Sequence, residues 1–226
     1  MKRKKTSLIL LSAIALVPFA QAQDEESAGL TLSTGIQTVT RVNSERVALL
    51  LDVAEVYFED GDYDSAIAAL ERALEIDPKN MQVRFIISRD YLIAEKYAQA
   101  EKILLALVDE YPEDYLVKNN LAWLYATATD PAFRKGKEAV KLAREALVEA
   151  PFLHNIWSTL SEAYYVTQDY ERAHRAGVQT LDLARSNLKE LPPETEAQYT
   201  LQIEKCSRAW EAQKVLDSLK NDEVPE

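Results

Sequence analysis

The sequence predicts an all-α fold, an α-solenoid of about four helix–turn–helix repeats with a C-terminal capping helix. Two observations predict it. Tyrosine, alanine and proline recur together at a constant interval, and between them the apolar residues follow helical spacing. A third observation is the shortage of glycine, with 5 in 226 residues, because the many tight turns of an all-β chain would need more of it.

The placement of these glycines also excludes several enzyme classes. No two of them form a GxG pair, and the chain contains neither a GxSxG nor a GxxxxGK sequence. Phosphate-binding loops and nucleophile elbows depend on closely spaced glycines. Dinucleotide-binding, P-loop and α/β-hydrolase functions are therefore excluded.

The start of the chain, up to Ala22, has the pattern of a secretory signal peptide (1–22). A basic run at positions 2–5 precedes an apolar run at 8–17, and a small-residue motif at 20–22 follows. We expect cleavage after Ala22 and a periplasmic or secreted location. The alternative, a membrane anchor, is disfavoured because the apolar run is far shorter than the ~20 residues of a span, so the mature chain should contain no membrane span.

The chain is acidic. Its formal net charge is −11, and loss of the four cations at positions 2–5 would lower it to −15. Nucleic acids and anionic lipids bind clustered Lys and Arg, so we expect no nucleic-acid partner. After the predicted cleavage site, residues 23–43 are rich in Ser, Thr and acids and are predicted to be a flexible segment.

The repeat register can be followed through the tyrosines. Tyr57, Tyr91 and Tyr125 are equally spaced, and the next interval, to Tyr164, is five positions longer. The five extra residues place an insertion at 127–131. Over residues 44–188, the repeats are predicted at about 47–80, 81–114, 115–153 and 154–187.

Each repeat reads as two helices joined by a turn. In the first, an apolar stripe from Leu50 to Tyr57 is followed by a turn at 60–62, and a second stripe begins at Tyr63. Pro78 prevents the second helix from continuing. After the fourth repeat, Pro192 and Pro193 end the array, and residues 194–220 are predicted to form one long capping helix.

These residues resemble the pattern of the tetratricopeptide repeat family. In the first repeat the matching residues are Leu50, Val53, Ala54, Tyr57, Ala66, Leu70, Ala73 and Pro78. The later repeats depart from the pattern in places, most clearly at Gly177 and Thr180 in the fourth. The resemblance covers about residues 47–187 and implies a right-handed superhelix whose concave wall is built from the first helix of each repeat.

By the same resemblance, the concave wall is the expected binding surface for a protein or peptide partner. The candidate partner-binding residues on it are Glu55, Phe58, Phe85, Arg89, Asn119, Asn120, Trp123, Glu162 and Tyr165. Aromatic rings would supply contact area and amides would pair with a peptide main chain. Of the positions at which chaperone-binding relatives grip a carboxylate, only Asn120 carries a matching residue, so that function is not implied.

The sequence points to a non-catalytic protein. The two histidines, His154 and His174, lie in no metal-binding or catalytic motif. The acidic run from Asp60 to Glu71 resembles a calcium loop, but Ser65 stands where such a loop needs glycine. We therefore expect no metal and no cofactor, and an interaction scaffold of the cell envelope. The alternatives are a structural subunit that self-associates through its C-terminal helix and, more remotely, an enzyme accessory subunit.

Two features allow alternative interpretations. Cys206 lies on the apolar stripe of the last helix and is either a buried structural thiol or an intermolecular disulfide partner. The insertion in the third repeat is either a passive extension of the turn or a basic, aromatic knob formed by residues 133–135.

Overall fold

A computed structural model describes the backbone of residues 33–222 and the side chains of residues 40–220. Within that part of the chain, the secondary structure consists of nine α-helices and one short 3₁₀ turn, Pro131–Phe133. The helices are α1 (Ser33–Glu59), α2 (Tyr63–Ile76), α3 (Met81–Ile93), α4 (Tyr97–Glu110), α5 (Tyr115–Thr127), α6 (Gly136–Glu149), α7 (His154–Val166), α8 (Tyr170–Asn187) and α9 (Pro193–Asp222). The predicted signal peptide lies outside the described residues.

The described helices divide into two compact units, an N-terminal unit of residues 33–110 and a C-terminal unit of residues 111–222. In the N-terminal unit, α1 packs against α2, α2 against α3, and α3 against α4. In the C-terminal unit, α5 packs against α6 and α7, α7 against α6 and α8, and α8 against α9. This sequential packing of helix hairpins confirms the predicted all-α repeat fold.

Four of the helices begin at a side chain that caps the first turn. The side chain of Asp62 accepts a hydrogen bond from the Ser65 amide at 3.1 Å. Asn80, Asp114 and Asp169 cap α3, α5 and α8 in the same way. The acids at the start of α2 are thus turn and cap residues, and no group of three metal-binding side chains occurs among the described residues.

The periodic small residues lie where neighbouring helices cross. Ala54, Ser88, Ala122 and Ser161 are all buried, and each occupies the same position in the first helix of its repeat. Alanines of the second helices, such as Ala66, are buried as well. A larger side chain at these positions would hold the helices apart, which explains why they recur at the repeat interval.

The flanks of the array differ from prediction at one end. Helix α1 begins at Ser33, so the segment predicted to be flexible up to residue 43 is helical from residue 33 onward, and its earlier part lies outside the described residues. At the other end, the capping helix is present and extends over Pro193–Asp222.

The residues around the insertion in the third repeat make contacts within their own turn. Arg134 Nε donates a hydrogen bond of 2.7 Å to the carbonyl of Ala128, and the Lys135 ammonium lies 4.7 Å from the centre of the Tyr125 ring. At Gly136, an added Cβ would approach Thr167 Cγ2 to 2.9 Å. These contacts favour a passive extension of the turn over a projecting knob.

The departure from the family pattern at Gly177 has a packing reason. A Cβ at this position would lie 3.1 Å from Ile203 Cγ1 on α9. The missing side chain therefore allows α9 to pack closely on α8. Cys206 is buried nearby with its Sγ 3.8 Å from Ser161 Oγ, which agrees with a structural thiol.

Candidate partner-binding surfaces

The predicted wall residues of the N-terminal unit contact one another. The Arg89 guanidinium lies 3.9 Å from the centre of the Phe58 ring, and its Nη2 is 3.6 Å from a carboxylate oxygen of Glu55. Phe58, Phe85 and Arg89 are buried, whereas Glu55 remains exposed. The prediction that Phe58, Phe85 and Arg89 stand open to a partner is wrong for this structure, because all three side chains are buried and the Arg89 guanidinium packs on the Phe58 ring. The Nη2 atom of Arg89 has no hydrogen-bond partner.

A buried carboxyl group beside this pair was missed from the sequence. Asp90 is fully buried, and its Oδ1 accepts a 2.9 Å hydrogen bond from Arg89 Nε. Burial raises the pKa of Asp90 from 3.8 to about 6, although the neighbouring Arg89 charge acts in the opposite direction. Its Oδ2 has no hydrogen-bond partner.

The wall residues of α5 are also buried. Asn119 and Asn120 are inaccessible, and the Trp123 side chain is 1% exposed. The prediction that they stand open on a concave surface is wrong because α5 is buried almost all round, with ten of its thirteen residues buried. A resemblance that identifies one face of the helix cannot show that the other faces are buried too.

Two of these α5 side chains carry unsatisfied polar atoms. Neither the amide oxygen nor the amide nitrogen of Asn120 has a hydrogen-bond partner, and neither does the indole N–H of Trp123. The two residues are three positions apart and therefore share one side of the helix. We call this side, defined by Asn120 and Trp123, the Asn120 face. Buried polar groups in folded proteins are otherwise nearly always paired.

The predicted wall residues of α7 contact side chains of α9. Both carboxylate oxygens of Glu162 lie 2.6 Å from Lys205 Nζ, and one also accepts a hydrogen bond from Gln202 Nε2 at 3.1 Å. The same ammonium lies 4.3 Å from the centre of the Tyr165 ring. Glu162 and Tyr165 thus bind the capping helix, which corrects their assignment to an external partner.

The C-terminal unit has a second surface that sequence reasoning missed, a groove of about 500 Å³ between α6, α7 and α8. Its floor is apolar and includes Leu147, Trp157, Leu160, Tyr164 and Ala176. Three arginines line it: Arg144, Arg172 and Arg175. We call it the arginine-rimmed groove. At its edge, Val148 is 77% exposed, and the adjacent Phe152 is 72% exposed.

The arginines of this groove differ in their pairing. Arg172 Nη1 lies 3.1 Å from an oxygen of Asp169, and Arg175 Nη2 lies 2.5 Å from one of Glu171. Arg144 has no carboxylate partner within the part of the chain that the structure describes. The sequence signal was available, since Arg144 replaces Leu105 and Glu71 of the preceding repeats.

Two further properties bear on function, namely the reactivity of the Cys206 thiol and the length of the apolar helices. Burial raises the pKa of the Cys206 thiol, which disfavours the reactive thiolate. No helix in the described residues is both long enough and apolar enough to cross a membrane.

The sequence matches the model of one protein family, described as the tetratricopeptide repeat, over residues 57–124. No curated protein matches the chain at a significant level. The matched region contains the end of α1, all of α2 to α4 and most of α5.

Solved structures resemble most of the chain. A thermophilic TPR protein from Thermus thermophilus is 22% identical, covers 76% of this chain and 94% of its own, and gives a TM-score of 0.53. A MamA protein is 14% identical, covers 81% of this chain and 98% of its own, and gives a TM-score of 0.51. At these identities the likeness concerns the fold. The chain is thus similar to the tetratricopeptide repeat over residues 57–124 and shares the fold of tetratricopeptide-repeat structures, a class whose members generally mediate protein–protein interaction and are typically non-catalytic.

Proposed function

We propose that this protein is a non-catalytic scaffold of the bacterial cell envelope, and that it binds a segment of a peptide or protein partner on the Asn120 face of α5. The observation that carries the proposal is the set of buried polar atoms on Asn120 and Trp123 that have no hydrogen-bond partner. The repeat fold supports it because helical repeats commonly bind protein segments.

The unsatisfied atoms have an energetic cost. A buried donor or acceptor without a partner destabilises a protein by about 1–3 kcal/mol. The Asn120 amide offers one acceptor and two donors, which complement the N–H and C=O groups of a peptide main chain. The Trp123 indole adds a donor and a large apolar ring.

Both side chains are covered in the unbound chain. The face must therefore open as the partner binds, and the hydrogen bonds gained by Asn120 and Trp123 offset part of that cost. Phe58 and Glu162 are not included in the proposed site, because their side chains already contact charged partners within the protein.

Partner capture from an envelope extract tests the proposal. Asn120→Leu removes the amide while keeping a branched side chain of similar shape, and Trp123→Phe removes the indole N–H while keeping an aromatic ring. Thr159→Val is the matched control, because Thr159 is buried but its hydroxyl already donates to the Asn155 carbonyl at 3.1 Å.

We expect the wild type and Thr159→Val to retain the same partner, and Asn120→Leu and Trp123→Phe to bind it about tenfold or more weakly, which corresponds to roughly 1.4 kcal/mol. Equal retention by all four proteins, each shown to be folded by circular dichroism, would exclude the Asn120 face as the binding surface.

The envelope location rests on the sequence of residues 1–22. The basic run at positions 2–5, the short apolar run and the small residues before Gln23 are typical of exported proteins. N-terminal sequencing of the protein from the periplasmic fraction or the medium should begin at Gln23. Recovery of the chain from the cytosol with Met1 intact would contradict export.

A structural role is the second candidate function. Helix α9 exposes Val215, Leu216 and Leu219 near its C-terminal end, and such a stripe could pair with another copy. If this is the main function, the protein elutes as a discrete oligomer that Leu216→Glu dissociates. A monomer by light scattering at micromolar concentration would exclude it and leave the interaction scaffold.

A further inference from the structure

We propose that the arginine-rimmed groove is a second docking site, which binds a short acidic segment of a protein partner through one or two apolar side chains and the flanking carboxylates. The groove is separate from the Asn120 face, since its lining comes from α6, α7 and α8. The inference therefore does not depend on the function proposed for α5.

The floor of the groove is built to receive an apolar side chain. Trp157 Nε1 donates a hydrogen bond of 2.8 Å to the Pro151 carbonyl, which fixes the ring and satisfies its only donor. Leu160 and Ala176 are buried beneath it. A volume of about 500 Å³ lies at the lower end of the range for small ligand sites and suits one or two large side chains.

Charge determines which segment fits. The whole chain carries a formal net charge of −11, yet three arginines surround this apolar floor. At the positions equivalent to Arg175, the three preceding repeats carry Lys141, Lys102 and Ala68. A cation at the position of Arg175 thus recurs in two of these repeats, whereas Arg144 stands where the first two repeats carry Glu71 and Leu105 and is particular to the third repeat.

The arginines are available to an incoming carboxylate. Arg144 has no ion-pair partner among the described side chains. The pairs of Arg172 with Asp169 and Arg175 with Glu171 are mostly exposed, and such pairs contribute little to stability. A guanidinium has five donors and can bind a second carboxylate in bidentate geometry, so a partner can add to these pairs without breaking them.

A peptide segment fits this surface better than an anionic membrane does. A bilayer would face a broad area of the protein, whose overall charge is negative and would repel it. A short segment senses only the charges within about a Debye length, roughly 8–10 Å. The exposed Val148 is part of the groove lining, and the exposed Phe152 directly follows the lining residue Pro151 in the chain, which supplies apolar area for a linear segment.

Selection from a hexapeptide library tests this inference. Purified full-length protein is incubated with an immobilised library, and retained peptides are sequenced. The variants are Arg144→Glu and Arg175→Glu, both exposed positions where folding should be unaffected. Arg208→Glu is the charge-matched control, because Arg208 is exposed on α9 and does not line the groove.

We expect the wild type and Arg208→Glu to enrich peptides that combine Asp or Glu with Leu, Phe or Trp, and the two groove variants to lose about tenfold or more of that binding. Enrichment of neutral or basic peptides, or the same acidic enrichment by Arg144→Glu, would overturn the proposal. Binding to phosphatidylglycerol vesicles that depends on Arg144, without peptide enrichment, would overturn it in favour of a lipid ligand. Asn120→Leu should leave the peptide selection unchanged, which separates this test from that of the Asn120 face.

Discussion

The buried carboxyl group of Asp90 should make the protein less stable as the pH rises through the weakly acidic range. Burial raises the pKa of Asp90 from 3.8 to about 6 in the folded state. Between these two values the folded protein retains a proton that the unfolded chain releases. Unfolding therefore becomes more favourable as the pH rises from about 4 to 6, and the effect is constant above that window.

The magnitude follows from the size of the shift. Each pKa unit corresponds to 1.36 kcal/mol, so a shift from 3.8 to about 6 gives a loss of about 3 kcal/mol. Asp90→Asn keeps an oxygen that can accept the hydrogen bond from Arg89 Nε but never ionises. We expect this variant to match the wild type at pH 4 and to be about 3 kcal/mol more stable at pH 7.5.

The assay is urea unfolding of both proteins at the two pH values, followed by circular dichroism. Comparing the variant with the wild type at each pH cancels the titration of all other groups. A stability difference that is the same at pH 4 and pH 7.5 would show that the pKa of Asp90 is not raised. A difference of opposite sign would mean that the Arg89 charge outweighs burial.

Two further predictions concern the packing of α9. Gly177→Leu would place side-chain atoms where Ile203 now lies. It should therefore lower the free energy of unfolding by about 1–3 kcal/mol and speed proteolysis within α9. Val178→Leu, at an exposed neighbouring position, should change neither quantity. The Cys206 thiol is buried and its pKa is raised. A thiol reagent should therefore modify it only at urea concentrations that unfold the protein. Rapid labelling in buffer would contradict the packing described here.

The repeat register could be predicted from the sequence because it depends on local geometry. Small residues such as Ala54 and Ala122 recur where two helices cross, and any larger side chain there would separate them. The turn residues behave similarly, since a side chain such as that of Asp62 caps its helix by accepting a hydrogen bond from the amide three residues later. Both signals depend on residues within one repeat, so the amino-acid sequence shows them directly.

The binding surface could be predicted only in part, because it depends on contacts between distant segments. The ion pair of Glu162 with Lys205 joins residues 43 positions apart, and nothing in the repeat pattern fixes the register of α9. The arginine-rimmed groove combines side chains of three helices, so the departure of Arg144 from the preceding repeats does not by itself indicate a groove.

The central claim is that the polar atoms of Asn120 on α5 are buried and unsatisfied in the free protein and pair with a partner only when the face opens. The free energy of unfolding of Asn120→Leu tests it most directly, with Asn120→Ala as a second variant that adds no volume. If the amide lacks partners, its removal relieves a cost, and at least one of these variants should be more stable than the wild type by about 1–3 kcal/mol. The control Thr159→Val, which removes a satisfied hydroxyl, should lose about 1 kcal/mol. If both Asn120 variants are destabilised as much as this control or more, the amide is already paired in the free protein and the claim is contradicted.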